Sequence, residues 1–236
     1  MKTIFLHIIL LIVFSASAQK EDLKKLNAKL DDVFRPGTGL HMQYSLTVRG
    51  GESGKESDSM IVDMIKESNG DYKIVMGKAR TLLRVNKMVL QVNDIDKLIV
   101  MEEDTNKVVD DHTLFMELTS LMDSARTITF AKEKHELVYT LSFGADFMYR
   151  FIQFKFSSKT QLPSGIYAEF NQGGEDAYHS LSATYTVWDL KWKDKKNELQ
   201  LNRFVELKNN RYEGVAAYSN YQVFKPEHGP INIDFK

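Results

Sequence analysis

Gly51-Glu52-Ser53-Gly54-Lys55 is the stretch whose residue types come nearest to a phosphate-binding loop. That chemistry wraps backbone N–H groups around phosphates. It needs a glycine separated by four residues from the closing Gly-Lys pair, and Ser or Thr after the lysine. Arg49 and Glu56 occupy those two places. The segment also joins two stretches of strand-like alternation instead of opening a helix, so its glycines describe a hairpin tip. Histidines stand at 7, 41, 112, 135, 179 and 228, never within five residues of one another, so there is no local zinc pair. The acidic pairs Asp94/Asp96, Glu102/Glu103 and Asp110/Asp111 lack the alternating ligands and central glycine of a calcium loop. Gly-x-Ser-x-Gly is absent and there is no cysteine, so the common serine and cysteine nucleophile arrangements are missing. No metal, no cofactor and no enzymatic activity are expected.

Two kinds of side chain remain. Tyr185, Trp188, Trp192, Tyr212, Tyr218 and Tyr221 make the C-terminal third aromatic, and exposed rings bind sugars or partner proteins. Trp188, Trp192 and Tyr221 are the candidates for a partner surface. The two tryptophans share a face if one regular strand carries both. Methionines recur at 42, 60, 64, 76, 88, 101, 116, 122 and 148. Their pliable side chains fill cores and also adapt to variable apolar ligands.

The elements that would position these residues are mostly strands. Leu23, Leu26, Leu30, Val33 and Phe34 fall on one face of a helix over 20–34, which Pro36-Gly37 stops. The period then changes to two. Met42, Tyr44, Leu46 and Val48 alternate with polar residues, and Met60, Val62 and Met64 share one face of the returning strand. Asn69-Gly70 marks a hairpin, because it supplies the positive φ angles of a tight turn. Short strands follow at 72–76, 80–85, 88–93 and 97–102, an antiparallel meander. Leu114, Phe115, Leu118, Leu121 and Met122 return to helical spacing and predict a second helix over 112–124. Strands resume at 127–130, 136–143, 150–157, 166–170, 180–192, 203–207 and 215–224. The fold expected is mainly β, a curved antiparallel sheet or incomplete barrel with an N-terminal helix and a helical lid. Its concave apolar face would hide an acyl chain from water, each buried methylene being worth about 0.8 kcal/mol. Tyr44, Leu46, Val48, Met60, Val62, Met64, Leu114, Leu118 and Leu121 are the candidate lining.

Composition bounds the function further. The chain has 236 residues, 43% hydrophobic and 27% charged, with 31 basic against 32 acidic side chains. That is too hydrophobic for a disordered chain and too balanced for a nucleic-acid binder. Lys2, the apolar run Ile4–Phe14 and the small residues Ser15-Ala16-Ser17-Ala18 form a secretory signal pattern with cleavage expected near Ala18. Such a run is too short to span a bilayer, which takes roughly 20 residues. The expectation is a periplasmic protein of one domain over 19–236, with 180–236 as an extension and no transmembrane segment in the mature chain.

The order of elements resembles the LolA/LolB-like lipoprotein-carrier superfamily. The likeness runs through the Leu-rich helix Leu23–Leu30, the strand residues Met42-Gln43-Tyr44, the turn Gly50–Gly54, the meander to Glu103, the lid segment Leu114–Met122 and the turn Leu162-Pro163-Ser164-Gly165. Its Arg-Pro-Gly strand signature is missing between 66 and 80, and Arg80 and Arg84 are the candidates for its lid-holding arginine. The resemblance implies a non-catalytic carrier whose partner is a lipid or a lipoprotein acyl chain. A second reading makes the chain a protein-interaction component of a bacterial envelope assembly, docking through its aromatic C-terminal third.

Overall fold

Leu23, Leu26, Leu30 and Val33, spaced by three and four, take the buried side of a helix in the computed structural model. The structure describes residues 2–50, 56–103, 118–171, 178–193, 197–209 and 211–225, with side chains from residue 18 onward except that of Glu56. The helix, α1 (Lys2–Phe34), runs unbroken from the stretch read as a signal into the helix expected from residue 20. Pro36 cannot continue it, and Gly37 leaves it at φ +102°. Among the described residues no helix is long and apolar enough to cross a membrane.

Strands then follow in the expected order. They are β1 (Leu40–Gly50), β2 (Glu56–Lys66), β3 (Tyr72–Met76), β4 (Arg80–Val85), β5 (Met88–Asn93) and β6 (Leu98–Glu103). Helix α2 (Leu118–Ser124) is the described part of the second helix; Leu114 and the loop-like Gly51–Lys55 lie outside the described residues. Next come β7 (Thr127–Glu133), β8 (Glu136–Ser142), β9 (Tyr149–Ser157), β10 (Pro163–Phe170) and β11 (Ser180–Asp189). Short pieces β12 (Val205–Lys208), β13 (Arg211–Gly214) and β14 (Gln222–Phe224) close the list. Twelve strands form one open sheet in the order β14-β6-β5-β4-β3-β2-β1-β11-β10-β9-β8-β7, and β12 pairs with β13 apart from it. β14 runs parallel to β6, which makes the sheet mixed at that edge.

The chain divides into two compact units. The first holds Met1–Phe34, Tyr44–Met60 and Asp111–Thr186. In it Phe154 of β9 faces Tyr139 on β8 and Ile166 on β10, and Ile152 faces Leu141 and Ala168. Ala183 on β11 faces Ile166 in turn. Directly opposed residues share a face, so these side chains make one apolar surface, with Ile152, Phe154 and Phe156 fully buried.

The second unit holds Arg35–Gln43, Ile61–Asp110 and Val187–Lys236. There both faces of β2–β6 are buried. One carries Val62, Met64, Ile74, Val89 and Val100. The other carries Ile65, Leu83, Leu90, Ile99 and Met101, and the segment 192–223 packs over it through Leu199, Phe204 and Val205. Gly39 is required here, because a Cβ would fall 2.0 Å from the Trp192 carbonyl oxygen.

Candidate functional site

The expected lining residues fall in both units. In the first, Leu118 and Leu121 are buried on α2 with Met122, whereas Tyr44, Leu46, Val48 and Met60 are half-buried on β1 and β2. Helix α1 packs on β7 and α2. Polar ties fasten it: Lys20 to Asp123 on α2 at 2.9 Å, and Lys29 Nζ to the Thr160 carbonyl and Gln161 Oε1 after β9. Asp22 of α1 lies near enough to Tyr139 for its charge to act on that phenol. Burial first, and Asp22 second, raise the Tyr139 pKa. The helices therefore lie against the sheet side that carries Tyr139, Phe154 and Ile152.

Tyr44 meets Tyr185 of β11 with ring centroids 5.0 Å apart. Burial pushes both hydroxyls above their ordinary pKa, and for Tyr185 the neighbouring Tyr44 adds to it. Both phenols stay neutral near pH 7 and act as hydrogen-bonding groups, not nucleophiles. The first unit thus offers an apolar sheet face, small at Ala168 and Ala183, with two neutral hydroxyl-bearing rings and a helical cover. Asn27 sits within the buried stripe of α1, and its Oδ1 is buried without a hydrogen-bond partner.

In the second unit Val62 and Met64 are buried. Two residues on, with the same parity, Lys66 is only 4% exposed. Its ammonium donates to the carbonyls of Arg35 at 2.9 Å and Thr38 at 2.8 Å, tying down the chain that leaves α1. Burial lowers its pKa. Of the two arginines considered as lid holders, Arg84 donates to the Gly70 carbonyl in this unit, and Arg80 is exposed.

Trp188, Trp192 and Tyr221 also belong to the second unit. β11 ends at Asp189, so the strand period that would align the two tryptophans stops between them. Trp192 and Tyr221 pack half-buried against the core cluster. The Tyr221 hydroxyl donates to Asp94 at 2.5 Å and accepts from Lys97 at 3.1 Å. A recess of about 610 Å3 in this unit is lined by Lys73, Glu198, Asn202, Arg203, Phe204 and the turn 215–218. Lys73 and Glu198 pair across it at 3.0 Å. Its lining holds charge of both signs but no serine, cysteine or histidine.

His41 Nε2 lies 2.8 Å from Asp63 Oδ1. Among the described residues no group of three or more His, Cys, Asp or Glu side chains could hold a metal ion.

Lys66 and Asn27 were missed by the sequence reading. The signal was there: a lysine at core parity in β2, and an asparagine inside an apolar helical stripe. The packing role of 192–223 had no comparable signal.

No protein-family model matches the chain, and no curated protein matches it. Solved structures match parts of the chain at low identity. MucB matches at 12% identity and a TM-score of 0.46, over 78% of this chain and 62% of that one. A LolA superfamily protein from Nitrosomonas europaea matches at 8% identity and 0.33, over 73% and 95%. An outer membrane lipoprotein-sorting protein domain from Vibrio parahaemolyticus matches at 8% and 0.33, over 78% and 96%. The chain spans 59% of the length of MucB as solved in complex with MucA(peri) and 62% of MucB solved alone.

Proposed function

We propose that this protein is a non-catalytic carrier of the bacterial envelope, periplasmic after signal removal. It holds a lipid or a lipoprotein acyl chain against the helix-covered face of β8–β11. The observation that carries this reading is the cover itself. α1 and α2 present Leu23, Leu26, Leu118, Leu121 and Met122 as buried apolar side chains. The ion pair that joins the two helices is solvent-exposed. Exposed pairs are weak, so the polar fastening yields easily while the apolar surfaces stay complementary to a chain of methylenes. Tyr44 and Tyr185, kept neutral by burial, can hydrogen-bond an ester or amide without binding free charge. Leu46, Val48, Met60 and Leu114 remain candidate contacts.

Native mass spectrometry of gently purified protein, with uptake of a fluorescent fatty acid, tests the reading. Lipid adducts that an added fatty acid displaces are expected. Protein that is always bare and takes up no probe would end it.

A further inference from the structure

A rim of the first unit carries an aromatic ladder that the carrier reading leaves unused. Phe143 stacks on Phe147 at 4.4 Å, and Phe147 meets Tyr149 at 6.3 Å. Tyr149 then meets Phe170 at 5.1 Å, and Phe170 meets Tyr178 at 6.5 Å. The ladder ends on Tyr178, 64% exposed, and Met148, in the turn between Phe147 and Tyr149, is 65% exposed. The tip between β8 and β9 is built, not slack. The Asn171 side-chain amide lies within hydrogen-bond reach of the carbonyls of Gly144, Phe147 and Tyr149, at 2.9, 2.6 and 3.2 Å. The Asn171 backbone N–H donates to the Met148 carbonyl at 2.9 Å. A fold has no need to stack rings and tie three carbonyls in order to hold an apolar side chain out in water.

Charge narrows the occupant. Arg126 stands 3.6 Å from Asp146, and Arg150 2.7 Å from Glu169, with both arginine side chains 69% exposed. The tip is thus flanked by two exposed arginines, one paired with the exposed Asp146 and one with the half-buried Glu169; pairs open to solvent are weak. Zwitterionic headgroups offer the complement: phosphate for arginine, ammonium for carboxylate. Area points the same way. Among the described residues of the tip, the two exposed large apolar side chains fall several-fold short of the roughly 800 Å2 per partner that a stable protein interface buries. Shallow insertion into a headgroup layer needs only a few apolar and aromatic groups.

We propose that Met148 and Tyr178, backed by the ring ladder, are a contact for the surface of a zwitterionic phospholipid bilayer. The test uses the full chain and phosphatidylcholine/phosphatidylethanolamine vesicles whose acyl chains are brominated near the headgroup. Met148→Trp is compared with Ile95→Trp, an exposed turn position of the second unit, on the same background of Trp188 and Trp192. Several-fold stronger quenching for Met148→Trp is expected. Molar salt, which screens the exposed charges, should weaken it in part and leave the apolar contribution, and Tyr178→Ser should weaken it. Equal quenching at the two sites would overturn the proposal, as would complete loss of quenching in salt. So would a self-associating chain that Met148→Glu converts to monomer by sedimentation, since the tip would then be a protein contact. A chain that takes up no fatty acid leaves this proposal standing.

Discussion

The two units bury their sheets differently. In the first, β9 alternates: Ile152, Phe154 and Phe156 are buried, and Phe151, Gln153 and Lys155 between them are half-exposed. In the second, β5 buries Val89 and Leu90 side by side, then Val92 and Asn93. The part of the sheet in the first unit is covered mainly on one face, and the part in the second unit on both. Their covers differ as well. The first unit uses two amphipathic helices joined to each other by an exposed ion pair. The second uses 192–223, a strap of short pieces plugged into the core by Phe204, 4% exposed, and Val205, 3% exposed. A cover of the first kind adds polar ties at the surface to its buried apolar side chains, whereas one of the second kind is plugged in by core residues of its own.

The sharpest way to break this contrast is a set of phenylalanine deletions. Phe204→Ala should cost about 3–5 kcal/mol, as large as a deletion in the heart of a core. Phe154→Ala should cost as much. Phe151→Ala, on the open face of the first unit, should cost only about 1 kcal/mol. Urea melts of the three variants measure this. A Phe204→Ala cost close to that of Phe151→Ala would mean that the strap is a surface ornament.

Lys66 gives the next largest effect. Lys66→Met leaves the Arg35 and Thr38 carbonyls without their donor, a loss of about 1–3 kcal/mol. The pH dependence carries a definite sign. Burial lowers the folded-state pKa below the ordinary 10.5. Below the folded value the cost of the buried charge is fully present. As pH climbs from that value toward the ordinary one, the folded chain binds fewer protons than the unfolded chain and the cost is relieved. The stability gap between wild type and Lys66→Met should therefore widen through this alkaline window. A gap that stays flat or narrows would show that Lys66 is not a buried cation.

How much of this was legible in the sequence follows from range. Alternation at Ile152, Phe154 and Phe156, the Asn69-Gly70 turn and the helical spacing of Leu118, Leu121 and Met122 are local, and each appears where it was read. The strap is not local. Its elements are three or four residues long, too short for a period to register. They are broken by left-handed residues at Asn197, Asn209 and Ala216. Its aromatic residues therefore carry no local pattern that separates core packing from a partner surface. Tyr221 finds Asp94 across 127 residues and Tyr44 finds Tyr185 across most of the chain, which no spacing rule reaches.

Tyr221→Phe sharpens the account of the strap at a smaller scale. The ring keeps its place, with Lys97 4.8 Å from its centroid, and the hydroxyl's bonds with Asp94 and Lys97 are lost. About 1 kcal/mol is expected. Hydrogen exchange should quicken at Gln222, whose N–H donates to the Lys97 carbonyl. Protection in α2 should not change, since it belongs to the other unit. Faster exchange in both would mean that the two covers open together.

The smallest effect on stability should come from Asp123→Asn, and it bears most directly on the helical cover. The carboxylate is fully exposed. Its pKa is lowered by the hydrogen bond from Lys20 and then by the Lys20 charge. The thermal melt near pH 7 should not move measurably, because exposed pairs contribute little. What should change is access. If the tie to Lys20 restrains the cover, Asp123→Asn takes up a fluorescent fatty acid faster than wild type at neutral pH. A depressed carboxylate pKa also means that the tie is intact above the ordinary value of 3.8 and is lost as pH falls through the lower folded value. Wild-type uptake should thus accelerate only in that acid window, a step the asparagine variant lacks. Identical uptake by both proteins at every pH would place the movable part of the cover elsewhere, and the tie from Lys29 to Thr160 and Gln161 would be the next to cut.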